Sequence, residues 1–197
     1  TPGDVGAFGL LYQWGRKDPF MGSCDTSRGT LAAATGEWVD NYTELNMSKA
    51  EENPTTYAYY WYGMTTSGRF GWCPSTSNKG LYDPCPVGYR VPDGGEDSFW
   101  TKAKVSVTAD ATNCGLYWSL ADGTKAWYPT TGVRYCNRGI VTEVGYKGIC
   151  WSATKNDGDR TASCLQYYCD ELWSEEDLSN MSGSYREDGC SVRCVRE

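Results

Sequence analysis

The sequence contains no histidine, and this absence narrows the chemistry that the chain can perform. Histidine is the commonest general base, the usual partner of serine and cysteine nucleophiles, and the commonest protein ligand for metals. Catalytic Ser-His and Cys-His pairs are therefore excluded. Any activity would have to use other residue types.

Long hydrophobic runs and an excess of positive charge are missing too. No segment approaches the roughly eighteen consecutive apolar residues of a transmembrane helix, so direct membrane insertion is not expected. Lysine and arginine total 18 against 25 acidic residues, a net charge of -7. Without a basic face, nucleic-acid binding is not expected. No signal peptide is visible at Thr1, which indicates a mature or excised fragment.

Cysteine, aromatic residues and glycine are abundant. The 197 residues include ten cysteines, nine tryptophans, fifteen tyrosines and 23 glycines. This length is enough for one domain, residues 1–197, with a sizeable core. The cysteines favour an oxidising compartment. Many aromatic and glycine residues together predict a loop-rich fold that buries large rings and leaves others at a surface.

Local patterns predict an α+β fold with helical pieces early and a strand-rich, loop-rich second half. Residues 44–52 are compatible with a helical turn or two, and 99–104 form the best helix candidate, with acids before it and lysines later. Residues 116–120 and 126–128 predict two strands joined by a hairpin turn at Ala-Asp-Gly, 121–123.

The C-terminal quarter has a strand pattern at each end and polar residues between. Residues 148–154 and 189–195 predict short strands. Residues 155–160 and 179–188 are rich in Asn, Asp, Ser and Gly, which is typical of turns and loops. Loops held between two strands are displayed on a scaffold, and displayed loops are where binding usually occurs.

Residue types in this quarter favour a recognition surface. Alternation in 162–168 predicts that Leu165 and Tyr167 face the core while Gln166 and Tyr168 face outward. Rigid aromatics and short polar groups suit adaptable binding, with ordinary packing as the alternative for the aromatics. The predicted ligand-binding residues are Asn156, Asp157, Asp159, Arg160, Ser163, Gln166, Tyr168, Trp173, Tyr185, Glu187 and Asp188.

Four motifs, residues 11–20, 82–92, 151–154 and 191–196, occur in an order that resembles a known family. This family is the Fibrobacter succinogenes major paralogous domain, common in surface proteins of Bacteroidales. The chain is also similar to the variable proteins of diversity-generating retroelements. The resemblance implies a C-type-lectin-like fold, a ligand-binding and hypervariable segment at 146–194, and a place on fimbriae or other exported proteins.

The resemblance also implies a disulfide between Cys85 and Cys194, which belong to the family's skeleton. Cys150 and Cys190 stand where such proteins usually carry an aromatic residue. They are either a second disulfide or free thiols left by random replacement. No zinc site is predicted, because the cysteine spacings do not form paired CxxC motifs and histidine is absent.

Enzymatic alternatives have weaker support. Pairs of acidic residues could act as the acid and the nucleophile of a glycosidase. The usual role of acidic residues in loops, however, is to carry solvated charge. The available pairs are Asp157 with Asp159, Glu175 with Glu176, and Glu187 with Asp188. Calcium is compatible with the implied fold, but 156–159 lacks the spacing of a calcium loop. A copper oxidase of the formylglycine-generating type is the runner-up, because that enzyme shares the implied fold and uses cysteines.

We therefore predict a protein that is not an enzyme, needs no cofactor, and binds a ligand as an adhesin or receptor-binding protein. Its place would be extracellular, on a cell surface or on a phage particle, with possible attachment to a pilus through upstream parts. The ligand would be a protein or glycan on another cell or host surface. A structural fimbrial subunit is a further alternative.

Overall fold

A computed structural model of the chain shows a protein built mainly of short antiparallel strands. It describes residues 2, 7–15, 19–21, 72, 79–80, 83–96, 98–135, 141–156, 161–186 and 188–197. The strands among these residues are Leu10–Leu11 (β1), Phe20–Met21 (β2), Tyr89–Arg90 (β3), Lys104–Asp110 (β4), Gly115–Leu120 (β5), Lys125–Pro129 (β6), Val133–Arg134 (β7), Val141–Thr142 (β8), Lys147–Lys155 (β9), Thr161–Tyr168 (β10), Ser179–Tyr185 (β11) and Val195–Arg196 (β12). The helices are Phe99–Ala103 (α1) and Glu175–Leu178 (α2).

Two three-stranded sheets carry most of the described structure. One has the order β4-β5-β6 and the other the order β11-β10-β9. Smaller two-stranded sheets pair β1 with β2, β3 with β12, and β7 with β8, and every pairing is antiparallel. The sheet of β9, β10 and β11 is the one that positions the candidate site.

The prediction of an α+β, C-type-lectin-like fold is wrong, because the described chain is mostly β. The predicted helix at 99–104 exists, and Ser98 caps it by accepting a hydrogen bond from the Trp100 amide at 3.0 Å. It ends at Ala103, however, and β4 begins at the next residue. Val107 and Thr108 are β-branched and favour this strand. The other helix has only four residues. The predicted helix at 44–52 lies outside the described residues.

The hairpin predicted at 116–128 is confirmed. β5 pairs with β6 from Gly115 opposite Pro129 to Ser119 opposite Lys125. The turn closes with the Gly123 amide donating to the Leu120 carbonyl at 3.0 Å. Gly123 has a φ of +83°, a conformation that glycine adopts without strain.

Residues 179–188, predicted as a loop, form strand β11 over most of their length. β11 pairs with β10 without interruption from Ser179 opposite Tyr167 to Tyr185 opposite Thr161. Asn, Ser and Gly favour turns locally, but pairing along seven residues overrides that preference. The polar composition marks an edge strand here and not a displayed loop.

The segment Gly189–Ser191 joins three parts of the molecule. It forms bridges to Tyr12, to Arg134 of β7 and, in parallel, to Cys150 of β9. Reciprocal backbone hydrogen bonds of 2.7 and 3.0 Å link Tyr12 with Cys190. All three residues of the segment are buried. A segment close to the last described residue therefore lies in the middle of the fold.

Both faces of the β9–β10 pair are buried at its centre. Trp151 and Cys164 lie opposite each other and belong to one hydrophobic cluster. Leu165 lies opposite Cys150, and both belong to a second cluster, on the other face. Because successive strand residues point to opposite faces, each strand contributes to both clusters.

The structure contains the predicted disulfide between Cys85 and Cys194. It lies beside the small sheet in which Val195 pairs with Arg90. The Lys79 ammonium donates to the carbonyls of Pro86 and Tyr89 at 2.7 Å each, so the same loop also has a noncovalent support.

The alternative pairing of Cys150 with Cys190 is not formed, since both thiols are free and buried. Ser191 pairs in parallel with Cys150, so their side chains share a face of the sheet. The side chain of Cys190 then points to the opposite face, into the first cluster. Cys150 belongs to the second cluster. The sheet itself separates the two sulfur atoms.

Candidate functional site

The end of β10 carries two residues that the sequence predicted to face outward, Gln166 and Tyr168. Leu165 and Tyr167 are each 1% exposed, while Gln166 and Tyr168 are half-buried, which confirms the predicted alternation. Tyr168 is the last residue of β10 and pairs with Lys147, the first residue of β9. Its ring therefore lies beyond the edge of the core.

Three aromatic rings meet at this end of the sheet. The ring centroids of Tyr168 and Trp173 are 4.9 Å apart, and Tyr146 lies 5.7 Å from Tyr168 and 6.2 Å from Trp173. The interplanar angles range from 49° to 83°, the tilted and edge-to-face geometry that aromatic pairs prefer. Trp173 is 38% exposed and Leu172 is 93% exposed. We call Tyr146, Tyr168, Leu172 and Trp173 the aromatic face.

A hydrogen-bonded turn after β10 holds Leu172 and Trp173 in place. The Asp170 carboxylate accepts from the Leu172 amide at 3.0 Å, and the Asp170 carbonyl accepts from the Trp173 amide at 3.2 Å. The Glu171 carboxylate accepts from the Ala111 amide at 3.3 Å. The large apolar side chains thus lie on a fixed backbone, so less conformational entropy is lost when a ligand binds.

Polar groups border the aromatic face on the β9 side. The Lys147 ammonium lies 5.5 Å from the centre of the Tyr168 ring and 3.8 Å from the Glu143 carboxylate. The Tyr168 hydroxyl donates to the Gln166 side chain at 3.4 Å. Predicted residues Gln166, Tyr168 and Trp173 are therefore brought together in one place.

Two other predicted residues lie at the opposite end of the same sheet. Tyr185, 54% exposed, pairs with Thr161 at the start of β10, and the Asn156 amide side chain donates to Thr161 Oγ1 at 2.9 Å. A strand rises about 3.3 Å per residue, so Thr161 and Tyr168 are about 23 Å apart. Those of the predicted residues that the structure describes hence do not form one continuous site.

Ser163 and Asp188 are buried, and this removes them from the ligand-facing set. Ser163 is 7% exposed and accepts a hydrogen bond at its carbonyl from Ser152 Oγ at 2.7 Å. Asp188 is 1% exposed and accepts from Ser184 Oγ at 2.9 Å. Their polarity favours surface positions, but the Asp188 carboxylate has a hydrogen-bond partner inside the protein, and Ser163 lies within a strand that is buried on both faces. Asp157, Asp159, Arg160 and Glu187 lie outside the described residues.

The sequence-based prediction missed Tyr146 and Leu172. Leu172 next to Trp173, among acidic residues, was a local signal, since an apolar pair in a charged turn has no core to enter. Tyr146 gave no such signal. Its place depends on the pairing of Lys147 with Tyr168 and on the Cys169 amide donating to the Tyr146 carbonyl at 2.8 Å.

The buried thiols do not favour copper chemistry. Burial raises the pKa of the Cys150 thiol to about 11 and that of Cys164 to about 12, and it raises the pKa of Cys190 well above its ordinary value. The thiolate is the form that attacks substrates and binds metals. At neutral pH these three groups are protonated and enclosed, which is the condition of structural cysteines.

The described part of the chain has neither a cluster of metal ligands nor a membrane-spanning helix. Its histidine, cysteine and acidic residues form no cluster of three or more that could hold a metal ion. None of its helices has the length and hydropathy needed to cross a membrane.

Comparisons with known proteins add no identification. No protein-family model matches the chain, and no curated protein or solved structure matches it either.

Proposed function

We propose that this protein is a non-catalytic ligand-binding protein, of the adhesin or receptor-binding type, and that it binds through the aromatic face. The observation that carries the proposal is the exposure of Leu172 and Trp173 on a turn that hydrogen bonds hold rigid. Large apolar side chains exposed together are typical of interaction sites. Aromatic anchors of this kind carry much of the energy in protein interfaces.

The proposal includes secretion or display on a cell or phage surface. The Cys85–Cys194 disulfide supports it, because such bonds persist mainly in oxidising compartments. The runner-up, a copper oxidase, has less support because the buried thiols of Cys150, Cys164 and Cys190 are protonated at neutral pH.

Replacing Trp173 with alanine should weaken ligand binding by about 30-fold, which corresponds to the loss of a hot-spot contact of about 2 kcal/mol. Binding would be measured with fluorescently labelled protein on glycan arrays and on intact bacterial and host cells. The matched control is Val87→Ser, which removes a 97% exposed apolar side chain from the loop near the disulfide. Equal binding by the Trp173 variant and the wild type would contradict the proposal, and stable assembly with no ligand would favour a structural subunit.

We further propose that positions in 146–194 are diversified by a retroelement. Half-buried or exposed side chains at both ends of the β9–β11 sheet could change without disturbing its paired backbone. Sequencing the locus across a natural population should show several-fold more substitutions at exposed than at buried positions. The positions expected to vary are half-buried Asn156, Gln166 and Tyr168 and exposed Trp173 and Tyr185. Ser163 and Asp188 should stay constant, and uniformly low variation would refute diversification.

A further inference from the structure

The aromatic face lies in strongly negative surroundings. Exposed Glu171, Glu175 and Glu176 and half-buried Asp170 surround Leu172 and Trp173 in the sequence. Asp170 and Glu171 precede the two apolar residues in the turn, and α2 begins with Glu175 two residues after Trp173. The apolar surface thus has an acidic rim.

Positive charge at this end of the sheet is already partly neutralised. The Lys147 ammonium is 3.8 Å from the Glu143 carboxylate, and its side chain is only 11% exposed. Its contact with the Tyr168 ring further restricts it. Lys147 therefore does little to offset the carboxylates of residues 170–176.

The ring geometry disfavours a sugar as the occupant. Stacking against a pyranose needs a flat, exposed ring face, but Tyr146, Tyr168 and Trp173 pack on one another at angles of 49° to 83°. The tilted rings together with the exposed Leu172 form an uneven apolar surface instead. Such a surface suits side chains of a peptide, which can fill the gaps between rings.

We infer that the aromatic face binds a segment of a partner protein in which an apolar anchor is flanked by lysine or arginine. This inference rests on the proposed function, since it names the ligand of the same face. The anchor packs on Leu172 and Trp173, and the flanking cations face the carboxylates of Glu171, Glu175 and Glu176. Complementary charge raises the association rate and excludes acidic competitors.

The test uses dye-labelled peptides with a Leu-Phe centre flanked on each side by lysines, by serines or by glutamates. Fluorescence anisotropy would measure binding to the full chain at ionic strengths of about 0.01 M and about 0.15 M, between which the Debye length falls from about 30 Å to about 8 Å. The lysine peptide should bind at least tenfold more tightly than the serine peptide at low salt. The glutamate peptide should not bind detectably.

Two variants test separately what the acidic rim and the aromatic side chain of Trp173 contribute to peptide affinity. Glu175→Gln with Glu176→Gln keeps the side-chain shape and should bring the affinity for the lysine peptide close to that for the serine peptide. Trp173→Ala should weaken binding of both peptides by about 30-fold. Asp122→Asn, at the distant β5–β6 turn, is the charge control and should leave every affinity unchanged.

The outcomes distinguish this inference from the proposed function. Equal affinity of the lysine and serine peptides, or no effect of salt, would overturn the cationic partner while leaving binding at the face intact. Trp173-dependent binding to glycans alone would also overturn it and leave the proposed function standing. If neither peptides, glycans nor cells bind in a Trp173-dependent way, the proposed function itself fails.

Discussion

Removing the Cys85–Cys194 disulfide should lower the free energy of unfolding by about 4–5 kcal/mol. The bond joins residues 109 positions apart, and closing so long a loop removes many conformations from the unfolded chain. Cys85→Ala with Cys194→Ser suits the site, because Cys85 is 6% exposed and Cys194 is exposed. Chemical denaturation under non-reducing conditions would measure the loss.

The folded loop around Cys85 should survive this change. Lys79 donates to the carbonyls of Pro86 and Tyr89, and the Asp83 carboxylate accepts from the amides of Cys85 and Val91 at 2.8 and 2.9 Å. The variant should therefore keep a native circular-dichroism spectrum while unfolding at lower denaturant concentration. A decrease in the free energy of unfolding below about 1 kcal/mol would show that the unfolded chain gains few conformations when the disulfide is removed.

Gly132→Ala should destabilise the protein by about 4 kcal/mol, because backbone strain and a steric clash add together. Gly132 has a φ of +73°, in the left-handed region where a β-carbon is unfavourable. That β-carbon would also collide with the Thr142 carbonyl oxygen and would approach Val144 Cγ2 to 2.8 Å. A carbonyl in a paired strand cannot swing aside as a flexible side chain can. Thermal and chemical unfolding would measure the effect.

Gly123→Ala is the matched control for this prediction. Gly123 has a φ of +83°, and a β-carbon there would meet nothing within 4 Å. This variant has the backbone strain without the steric clash, and its free energy of unfolding should fall by about 1 kcal/mol. Similar losses at both glycines would show that β7 and β8 move apart to accept the extra carbon.

Elements whose signals are local could be predicted from the sequence. The hairpin at 116–128 follows from the turn residues between its strands, and the start of α1 follows from Ser98 before an apolar pair. Strand β11 could not be predicted, since Ser, Asn and Gly prefer turns and only pairing with β10 makes them extended. The fold class was wrong for a related reason. The best helix candidate ends at Ala103, because pairing of β4 with β5 makes the residues that follow it extended.

The candidate site could be predicted only in part. The outward position of Tyr168 follows from strand alternation, and Trp173 was identified by residue type. Tyr146 depends on the register of β9 against β10, which the sequence does not reveal. Ser163 and Asp188 show the opposite error. Their polar side chains predict surface positions, but the Asp188 carboxylate binds Ser184 inside the protein and Ser163 lies within a strand that is buried on both faces.

The position of Gly189–Ser191 has a consequence for how the molecule folds. The parts that it joins, Tyr12, β7 and β9, all precede it in the chain, so they can be linked only after all of them have been synthesised. Contacts between residues so distant in sequence make folding slow. We expect the earlier strands to leave apolar surface exposed until this segment is in place, which makes the partly folded chain prone to aggregation.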